Sequence, residues 1–344
     1  MLGRFIPISD DGTRVKFDAN LASPAITEAD NLAGAAEDMG FDGAWVTETT
    51  HSPFTLTTQL ANGSDRMDLG TAITVAFPRS PMVTAYTAWD VQSLADGRFV
   101  LGLGTQVKGH IERRFDVEWD SPGPRLREYV EVLREIWASW EEDRHPSYEG
   151  EFYSITLCPA DWRPEPIEHS RVPIYIAGVN SYNVTLAGEC CDGLHVHPLN
   201  SPEYIEREVV PDIETGAARA DRDPDDVTLV TNVFAITGET DAEREQAREE
   251  IRRQIAFYGS TRTYKRIFAV HGWEDVCDDL HELSVEDRWD EMPALVTDEM
   301  VETFSVEGTY DELRDEIEER YTHIDRISLY APYRGEEHWQ RVLS

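Results

Sequence analysis

Lysine is almost missing from this sequence of 344 residues. Only Lys16, Lys108 and Lys265 are present, and the 31 basic residues as a whole face 67 acidic ones, for a formal net charge of −36. Because no basic stripe exists, the sequence argues against a nucleic-acid-binding protein, whose phosphate contacts need such a surface. The shortage of lysine argues in the same way against a phosphorylated substrate.

The acidic excess is spread along the chain, as in EEDRH, DRDPDD and TDAEREQAREE, and is not gathered in one tail. Such an excess repels itself in dilute buffer and weakens the compact state. In molar salt the Debye length is only about 3 Å, so the repulsion is largely screened. The composition therefore predicts adaptation to a salt-rich cytoplasm and not docking to a basic partner.

Cysteine and long apolar segments are also scarce. The four cysteines, Cys158, Cys190, Cys191 and Cys277, show no Cys-x-x-Cys spacing, which indicates reduced thiols. No stretch approaches the roughly 18 apolar residues of a membrane helix, and MLGRFIPISD lacks the pattern of a secretory signal. We therefore expect a cytoplasmic protein that does not associate with a membrane.

Hydrophobic residues are nonetheless 40% of the chain, enough for a full core, and strand patterns alternate with helix patterns. The predicted strands are RFIPIS (4–9), FDGAWVTE (41–48), RMDLGTAITVAF (66–77), RFVLGLGT (98–105), PIYIAGV (173–179), DGLHVHP (192–198), DDVTLVTNVFAITG (225–238) and IDRISLYAP (324–332). Helices are predicted after Ser23-Pro24, ending at Gly40, after Ser80-Pro81, and over residues 124–140.

Eight strands separated by helices predict an α/β fold, a (β/α)8 TIM barrel, with an open doubly wound sheet as the alternative. The rhythm breaks at about 141–172, where YEGEFYSI looks like a hairpin arm and a Pro-rich loop follows. We interpret this segment as an insertion after the fourth helix. The whole chain, 1–344, is then one barrel domain with an extended helical region at about 241–321.

The ends of four consecutive predicted strands, the second to the fifth, carry polar or small residues. They are Glu48 and His51, then Thr74 and Arg79, then Gly102, Gly104, Thr105, Gln106 and His110, and then Gly178, Asn180 and Ser181. Active sites of TIM barrels lie at the carboxyl ends of the strands, so four adjacent ends indicate one pocket. GLGTQVKG departs from the G-x-G-x-x-G spacing of dinucleotide sites and is better explained as close approach of the backbone to a flat ligand.

YIAGVNSYNVTLAG (residues 175–188) has the pattern of a strand, a tight turn and a helix. The N–H groups of Val179, Asn180, Ser181 and Tyr182 then point out of the N-terminus of a helix, a geometry that favours a phosphate. Two residues of the next strand, His195 and His197, share one face.

A metal ion on His195 and His197 is an open alternative, although it needs further ligands from other strands, and the late positions of the last predicted strand offer none. We expect His195 to be a packing residue and His197 to line a substrate pocket, and we assign no metal site.

Several stretches together resemble the bacterial luciferase-like superfamily, and within it the oxidoreductases that use the deazaflavin coenzyme F420. They are LGTAITVAFPRSPMVTAYTAWDVQSLADGRFVLGLGTQVKGHIERRF, REYVEVLREIW, YEGEFYSI and PIYIAGVNSYNVTLAGECCDGLHVHP. The resemblance implies a TIM barrel with an insertion, which binds a flavin or deazaflavin at its carboxyl-terminal face.

Residue by residue, the resemblance places the ring of the cofactor against a bulge at Ala72, Ile73 and Thr74, with a non-prolyl cis peptide at Ala72–Ile73. It places the phosphate loop on Gly178, Val179, Asn180, Ser181 and Tyr182, and an acid near the cofactor at Glu48. Two positions depart from the family pattern. An Asp-His pair is replaced by Glu48-Thr49-Thr50-His51, and a glutamate after GLGT is replaced by Gln106, which argues against a sugar-phosphate dehydrogenase.

The expected function is hydride transfer between coenzyme F420 and a small organic substrate. Glu48 and His51 would orient the ring or move a proton, Gln106 would lie beside the cofactor, and His110 and His197 would line the substrate side. The alternatives are an FMN-dependent monooxygenase, which the same superfamily contains, and a metal-dependent barrel hydrolase. The resemblance also implies a homodimer.

Overall fold

The structure is a computed structural model that describes residues 15–344. Its strands are β1 (Lys16–Ala22), β2 (Gly43–Val46), β3 (Asp68–Thr71), β4 (Thr74–Val75), β5 (Phe99–Gly104), β6 (Tyr148–Glu149), β7 (Ser154–Ile155), β8 (Ile174–Gly178), β9 (Gly193–Val196), β10 (Thr228–Ile236), β11 (Ser305–Glu307) and β12 (Arg326–Leu329). Eight of them pair in parallel around a complete circle, in the order β1, β2, β3, β5, β8, β9, β10, β12 and back to β1. The predicted TIM barrel is confirmed, and the doubly wound sheet is wrong.

The first barrel strand, β1, is not one that the sequence predicted. The strand predicted over residues 4–9 lies outside the described residues. In β1, Phe17, Ala19 and Leu21 pack in the main core, while Asp18 and Asn20 alternate with them and bond to residues of the neighbouring strands. Because polar side chains occupy every second position and face the inside of the barrel, this strand lacks the apolar run expected of a buried parallel strand.

The amino-terminal end of the barrel is closed by a buried ionic group. The Asp18 carboxylate accepts the indole N–H of Trp45 at 2.7 Å and two guanidinium N–H groups of Arg326 at 2.8 Å each. Arg326 also bonds to Asp68. Since this charged group fills the bottom of the barrel, a ligand enters from the carboxyl-terminal rim.

The helices are α1 (Ala29–Met39), α2 (Pro53–Gly63), α3 (Pro81–Leu94), α4 (Lys108–Arg114), α5 (Pro122–Glu141), α6 (Ser181–Cys190), α7 (Pro202–Tyr204), α8 (Val210–Arg219), α9 (Asp241–Gly259), α10 (Lys265–Ala269), α11 (Glu274–Val285), α12 (Asp298–Phe304), α13 (Leu313–Arg320) and α14 (Trp339–Leu343). A π-helical turn, Ile205–Val209, joins α7 to α8. Within residues 15–344, no helix combines the length and the apolar composition that a membrane span requires.

The Ser-Pro rule for helix starts is correct for α3 and wrong for α1. Ser80 precedes Pro81 at the start of α3, but α1 begins at Ala29 and not at Pro24. The Ser23 hydroxyl lies 2.9 Å from the hydroxyl of Thr50 instead of capping a helix. The predicted end is confirmed, because Gly40 adopts φ 101° in a left-handed cap.

The segment at 141–172 contains the hairpin of β6 and β7, two antiparallel strands of two residues each. Its turn is attached to α5, because the Glu128 carboxylate accepts the N–H groups of Glu151, Phe152 and Tyr153 at 2.8–3.2 Å.

The region at 241–321 is not helical throughout. β11 lies within it and extends the sheet beside the last three residues of β10. A strand of three residues between two helices carries too short a pattern to be recognised in sequence.

Candidate active site

The strand-three bulge lies at the carboxyl-terminal rim of the barrel. The peptide bond between Ala72 and Ile73 is cis, as predicted. Thr74 begins β4 and is fully buried, and its hydroxyl has no hydrogen-bond partner among the described residues. A Cβ on Gly104 would lie 2.7 Å from Ile73 Cδ1, so glycine lets the bulge approach β5. Gln106 follows at φ 58°, and its side-chain oxygen accepts the N–H of Val107 at 3.0 Å.

Both carboxylate oxygens of Glu48, at the end of β2, accept hydrogen bonds. Its side chain is 8% exposed and forms a bidentate pair with Arg79 at 2.9 and 2.7 Å. The same carboxylate accepts the N–H of Val75 at 2.7 Å. Two charge-assisted hydrogen bonds in parallel give a rigid geometry, so Glu48 fixes β4 and Arg79 to β2. Glu48 and Arg79 were predicted as separate pocket residues, and in the structure they form one ion pair.

The two remaining histidines from the strand ends differ in exposure. His51 is half-buried in front of α2 and has no hydrogen-bond partner among residues 15–344. His110 is exposed on α4. None of the ring contacts and hydrogen bonds described for residues 15–344 joins either side chain to His197.

The predicted phosphate loop forms the start of α6. Asn180 occupies the N-cap position, Asn180, Ser181 and Tyr182 are exposed, and the N–H groups of residues 181–183 have no acceptor in residues 15–344. Gly178 packs against Leu194, and the Val179 carbonyl accepts the Tyr204 hydroxyl at 2.6 Å.

Charges near this helix start are balanced. The Ser181 hydroxyl donates to Asp212 at 2.7 Å, and Asp212 pairs with Arg266 at 2.9 Å. Tyr182 covers Gly123, where a Cβ would approach the ring to 2.5 Å. Because the arginine offsets the nearest carboxylate, the three N–H groups of residues 181–183, which have no acceptor in the described residues, remain as the net attraction for an anion.

His195 and His197 occupy successive levels of the same inward face of the barrel. His195 is 8% exposed, with Trp45 edge-on at 5.0 Å, and burial followed by the charge of Arg326 lowers its pKa to about 3. His197 accepts the N–H of Leu199 at its Nδ1 at 3.1 Å, and burial lowers its pKa to about 3 as well. Among residues 15–344, no three His, Cys, Asp or Glu side chains gather in an arrangement that could hold a metal ion.

Two tyrosines that were not predicted as site residues contact His197, and a third contacts one of them. Tyr264 stacks on its ring at 4.2 Å, Tyr258 meets it edge-on at 4.5 Å, and the Tyr258 hydroxyl lies 2.7 Å from that of Tyr330. The alternation Arg326, Ser328, Tyr330 continues one inward face, so Tyr330 was recognisable in sequence. Tyr258 and Tyr264 come from the covering helices, whose position over the barrel no local pattern shows.

Comparison with known proteins gives consistent matches over nearly the whole chain. The model of the luciferase-like monooxygenase family matches residues 10–324. The chain is 39% identical over 315 residues to the uncharacterized protein Rv1360 of Mycobacterium tuberculosis, covering 91% of this chain and 92% of that one. It is 29% identical over 294 residues to the 5,10-methylenetetrahydromethanopterin reductase of Archaeoglobus fulgidus, covering 83% of each.

Among solved structures, the coenzyme F420 dependent tetrahydromethanopterin reductase from Methanopyrus kandleri superposes with a TM-score of 0.78. The match covers 96% of this chain and 97% of that one at 23% identity. The likeness extends over the barrel, the hairpin and the covering helices together.

Proposed function

The chain belongs to the luciferase-like monooxygenase family and is an oxidoreductase, and on this premise we propose that it transfers a hydride between coenzyme F420 and a small organic substrate. The likeness to an F420-dependent reductase over the whole fold supports the choice of cofactor. The observation that carries the proposal is at the rim, where the unsatisfied N–H groups of α6 and the unpartnered hydroxyl of Thr74 face the same barrel end.

The residues at the rim fit a flat cofactor with a phosphate-bearing tail. Gly104 lets the bulge pack closely against β5, and Thr74 carries a buried hydroxyl in need of a partner. Asn180, Ser181 and Tyr182 would receive the phosphate at the start of α6. When bound, the deazaflavin supplies the redox chemistry.

We assign roles to the side chains around the ring from their hydrogen bonds. Both carboxylate oxygens of Glu48 are occupied, so Glu48 acts as a positioning residue that holds the bulge and Arg79 in place. His51 has its ring nitrogens free of partners among residues 15–344 and is the residue placed to move a proton. Gln106 would contact the cofactor from β5, with His110 and His197 on the substrate side.

The setting of the enzyme follows from the same proposal. We propose a cytoplasmic homodimer in a salt-rich cell interior, which acts on a small-molecule substrate without nucleic-acid partners. The domain organisation remains one barrel, with the hairpin insertion and the covering helices shaping the substrate side.

The test is a spectral titration of the purified protein in molar KCl with coenzyme F420 and separately with FMN. Tight binding of F420 and not of FMN is expected. Preference for FMN would support an FMN-dependent monooxygenase instead. Binding of neither would reduce the relation to one of fold alone, and metal analysis of the same sample would then address the hydrolase alternative.

A further inference from the structure

Four aromatic side chains from four segments meet at the rim of the barrel. They are His197 after β9, Tyr258 in α9, Tyr264 before α10 and Tyr330 after β12, and we refer to them as the aromatic cluster. Their contacts are ring to ring at 4.2–6.3 Å, apart from the hydrogen bond between the hydroxyls of Tyr258 and Tyr330. The cluster therefore forms a wall of flat surfaces on the inward side of the covering helices.

His197 presents a single hydrogen-bond donor to this space. Its Nδ1 accepts the backbone N–H of Leu199, so the proton of the neutral ring lies on Nε2. Nε2 has no partner among the described residues. With its pKa near 3, the ring stays uncharged from pH 5 to pH 8 and donates a hydrogen bond without carrying a positive charge.

The four side chains of the aromatic cluster are uncharged, although the protein is rich in acidic side chains. Within residues 15–344, no Asp, Glu, Lys or Arg side chain bonds to any of its four members. The pKa values of Tyr258, Tyr264 and Tyr330 are raised by burial, and the further causes for Tyr258 and Tyr264 are mainly neighbouring tyrosines. A charged ligand would lose its hydration here without gaining a counter-charge, which is costly.

Two exposed aromatic side chains lie beside the cluster. Phe257 is 51% exposed and Trp289 is 44% exposed, and their rings lie 6.1 Å apart. Phe257 also meets Tyr258 edge-on at 5.5 Å. Exposed aromatic side chains that adjoin a site mark the path or the partner of an apolar ligand.

From these observations we infer that the substrate is an uncharged, flat ring compound whose carbonyl or imine group accepts a hydrogen bond from His197 Nε2. The aromatic cluster supplies stacking surface, and the N–H of His197 Nε2 orients the polar group of the substrate. This inference rests on the proposed function and adds to it the chemical class of the substrate.

Acetophenone and 4-acetylbenzoate test the inference, since they share a ring ketone and differ by one carboxylate. Their affinities for the full chain in molar KCl, with oxidised F420 bound and without it, are measured by ligand-observed NMR. Because oxidised F420 has no hydride to give to a ketone, the readout is binding alone. We expect acetophenone to bind at least tenfold more tightly than 4-acetylbenzoate, with no change between pH 5 and pH 8.

Substitutions test the role of the donor. His197→Phe should weaken acetophenone about fivefold, the value of one hydrogen bond of about 1 kcal/mol, and His197→Gln, which keeps an N–H donor, should recover part of the loss. His169→Phe, at a half-exposed histidine (50% side-chain exposure) in the loop before β8, is the matched control and should change nothing. Should His197→Phe fail to fold, the comparison of acetophenone with 4-acetylbenzoate on the unaltered protein still tests whether the site prefers an uncharged ring compound.

Equal affinity for the two probes, or equal effects of the His197 and His169 variants, overturns the inference. The cofactor titration separates this failure from that of the proposed function. If F420 binds and the probes show no preference, the proposed function stands and the substrate class is wrong. If neither F420 nor FMN binds while acetophenone binds through His197, the substrate site stands and the cofactor assignment is wrong.

Discussion

A buried histidine couples the stability of this protein to pH. His195 lies inside the barrel between Trp45 and Tyr175, and burial lowers its pKa to about 3. In the unfolded chain the ordinary value is about 6.5. Below pH 6.5 the His195 ring therefore binds a proton in the unfolded state. In the native state it binds this proton only near pH 3.

We predict that the free energy of unfolding falls as the pH drops from 6.5 towards 3. The slope from His195 alone is up to about 1.4 kcal/mol per pH unit. In His195→Gln this part of the slope should disappear, whatever the packing change does to stability at pH 8. Urea denaturation at fixed KCl between pH 4.5 and 8 measures it, with His169→Gln as the exposed control. If the free energy of unfolding changes equally with pH in both variants, the role assigned to the burial of His195 is contradicted.

At the same scale, single residues show what sequence can and cannot tell about the site. Glu48, Thr74 and the residues of the predicted phosphate loop were proposed as site residues because they follow strands, and strand ends share one rim. The pairing of Glu48 with Arg79 was not predicted, because it depends on how the bulge after β3 places β4 and Arg79 beside the end of β2. The free hydroxyl of Thr74 was likewise visible only once its neighbours were placed.

Among the elements, α6 allows the helix N-terminus to be tested with almost no change of shape. Asn180→Asp adds one negative charge at the N-cap position and keeps the side-chain outline. Asp caps helices as well as Asn does and interacts favourably with the helix dipole. The same charge would repel the phosphate of the proposed cofactor.

We therefore predict opposite changes in stability and binding for Asn180→Asp. The melting temperature should stay equal or rise, while the affinity for F420 should fall at least tenfold, and further in the double variant with Ser181→Asp. Asn180→Ser, another good N-cap without charge, is the control and should bind within a few-fold of the unaltered protein. Spectral titration and thermal melts on the same samples give both values. Unchanged affinity in Asn180→Asp would exclude α6 as the phosphate site.

The elements that sequence predicted best are those with a long or unbroken pattern. The helix α5 and the apolar strands β5, β8 and β9 were located because core packing governs their composition. β1 was not predicted because its inward side chains are polar, and β11 was not predicted because it is three residues long. The start of α1 was predicted wrongly because the Ser23 hydroxyl, which could cap a helix, bonds to the Thr50 hydroxyl instead.

For the whole molecule, the arginines stabilise the fold in a way that lysines would not. Arg326 and Arg79 each make bidentate contacts with buried carboxylates, and Arg266 of α10 pairs with Glu208 in the π-helical turn and with Asp212 in α8. The planar guanidinium suits such contacts, whereas an ammonium group acts as a point charge. With its arginines occupied in this way, the surface is left dominated by acidic side chains.

This surface gives the last prediction, a strong dependence of stability on salt. Lowering KCl from molar concentration to about 0.1 M lengthens the Debye length from about 3 Å to about 10 Å, so acids that are screened from each other begin to repel. The melting temperature should therefore fall steadily as KCl is removed. The triple variant Glu214→Gln, Glu282→Gln and Glu319→Gln, at exposed positions of α8, α11 and α13, removes three charges and should show a shallower fall. A melting temperature that does not respond to KCl, or a triple variant that responds as steeply as the unaltered protein, would mean that the acidic surface has a purpose other than a salt-rich environment.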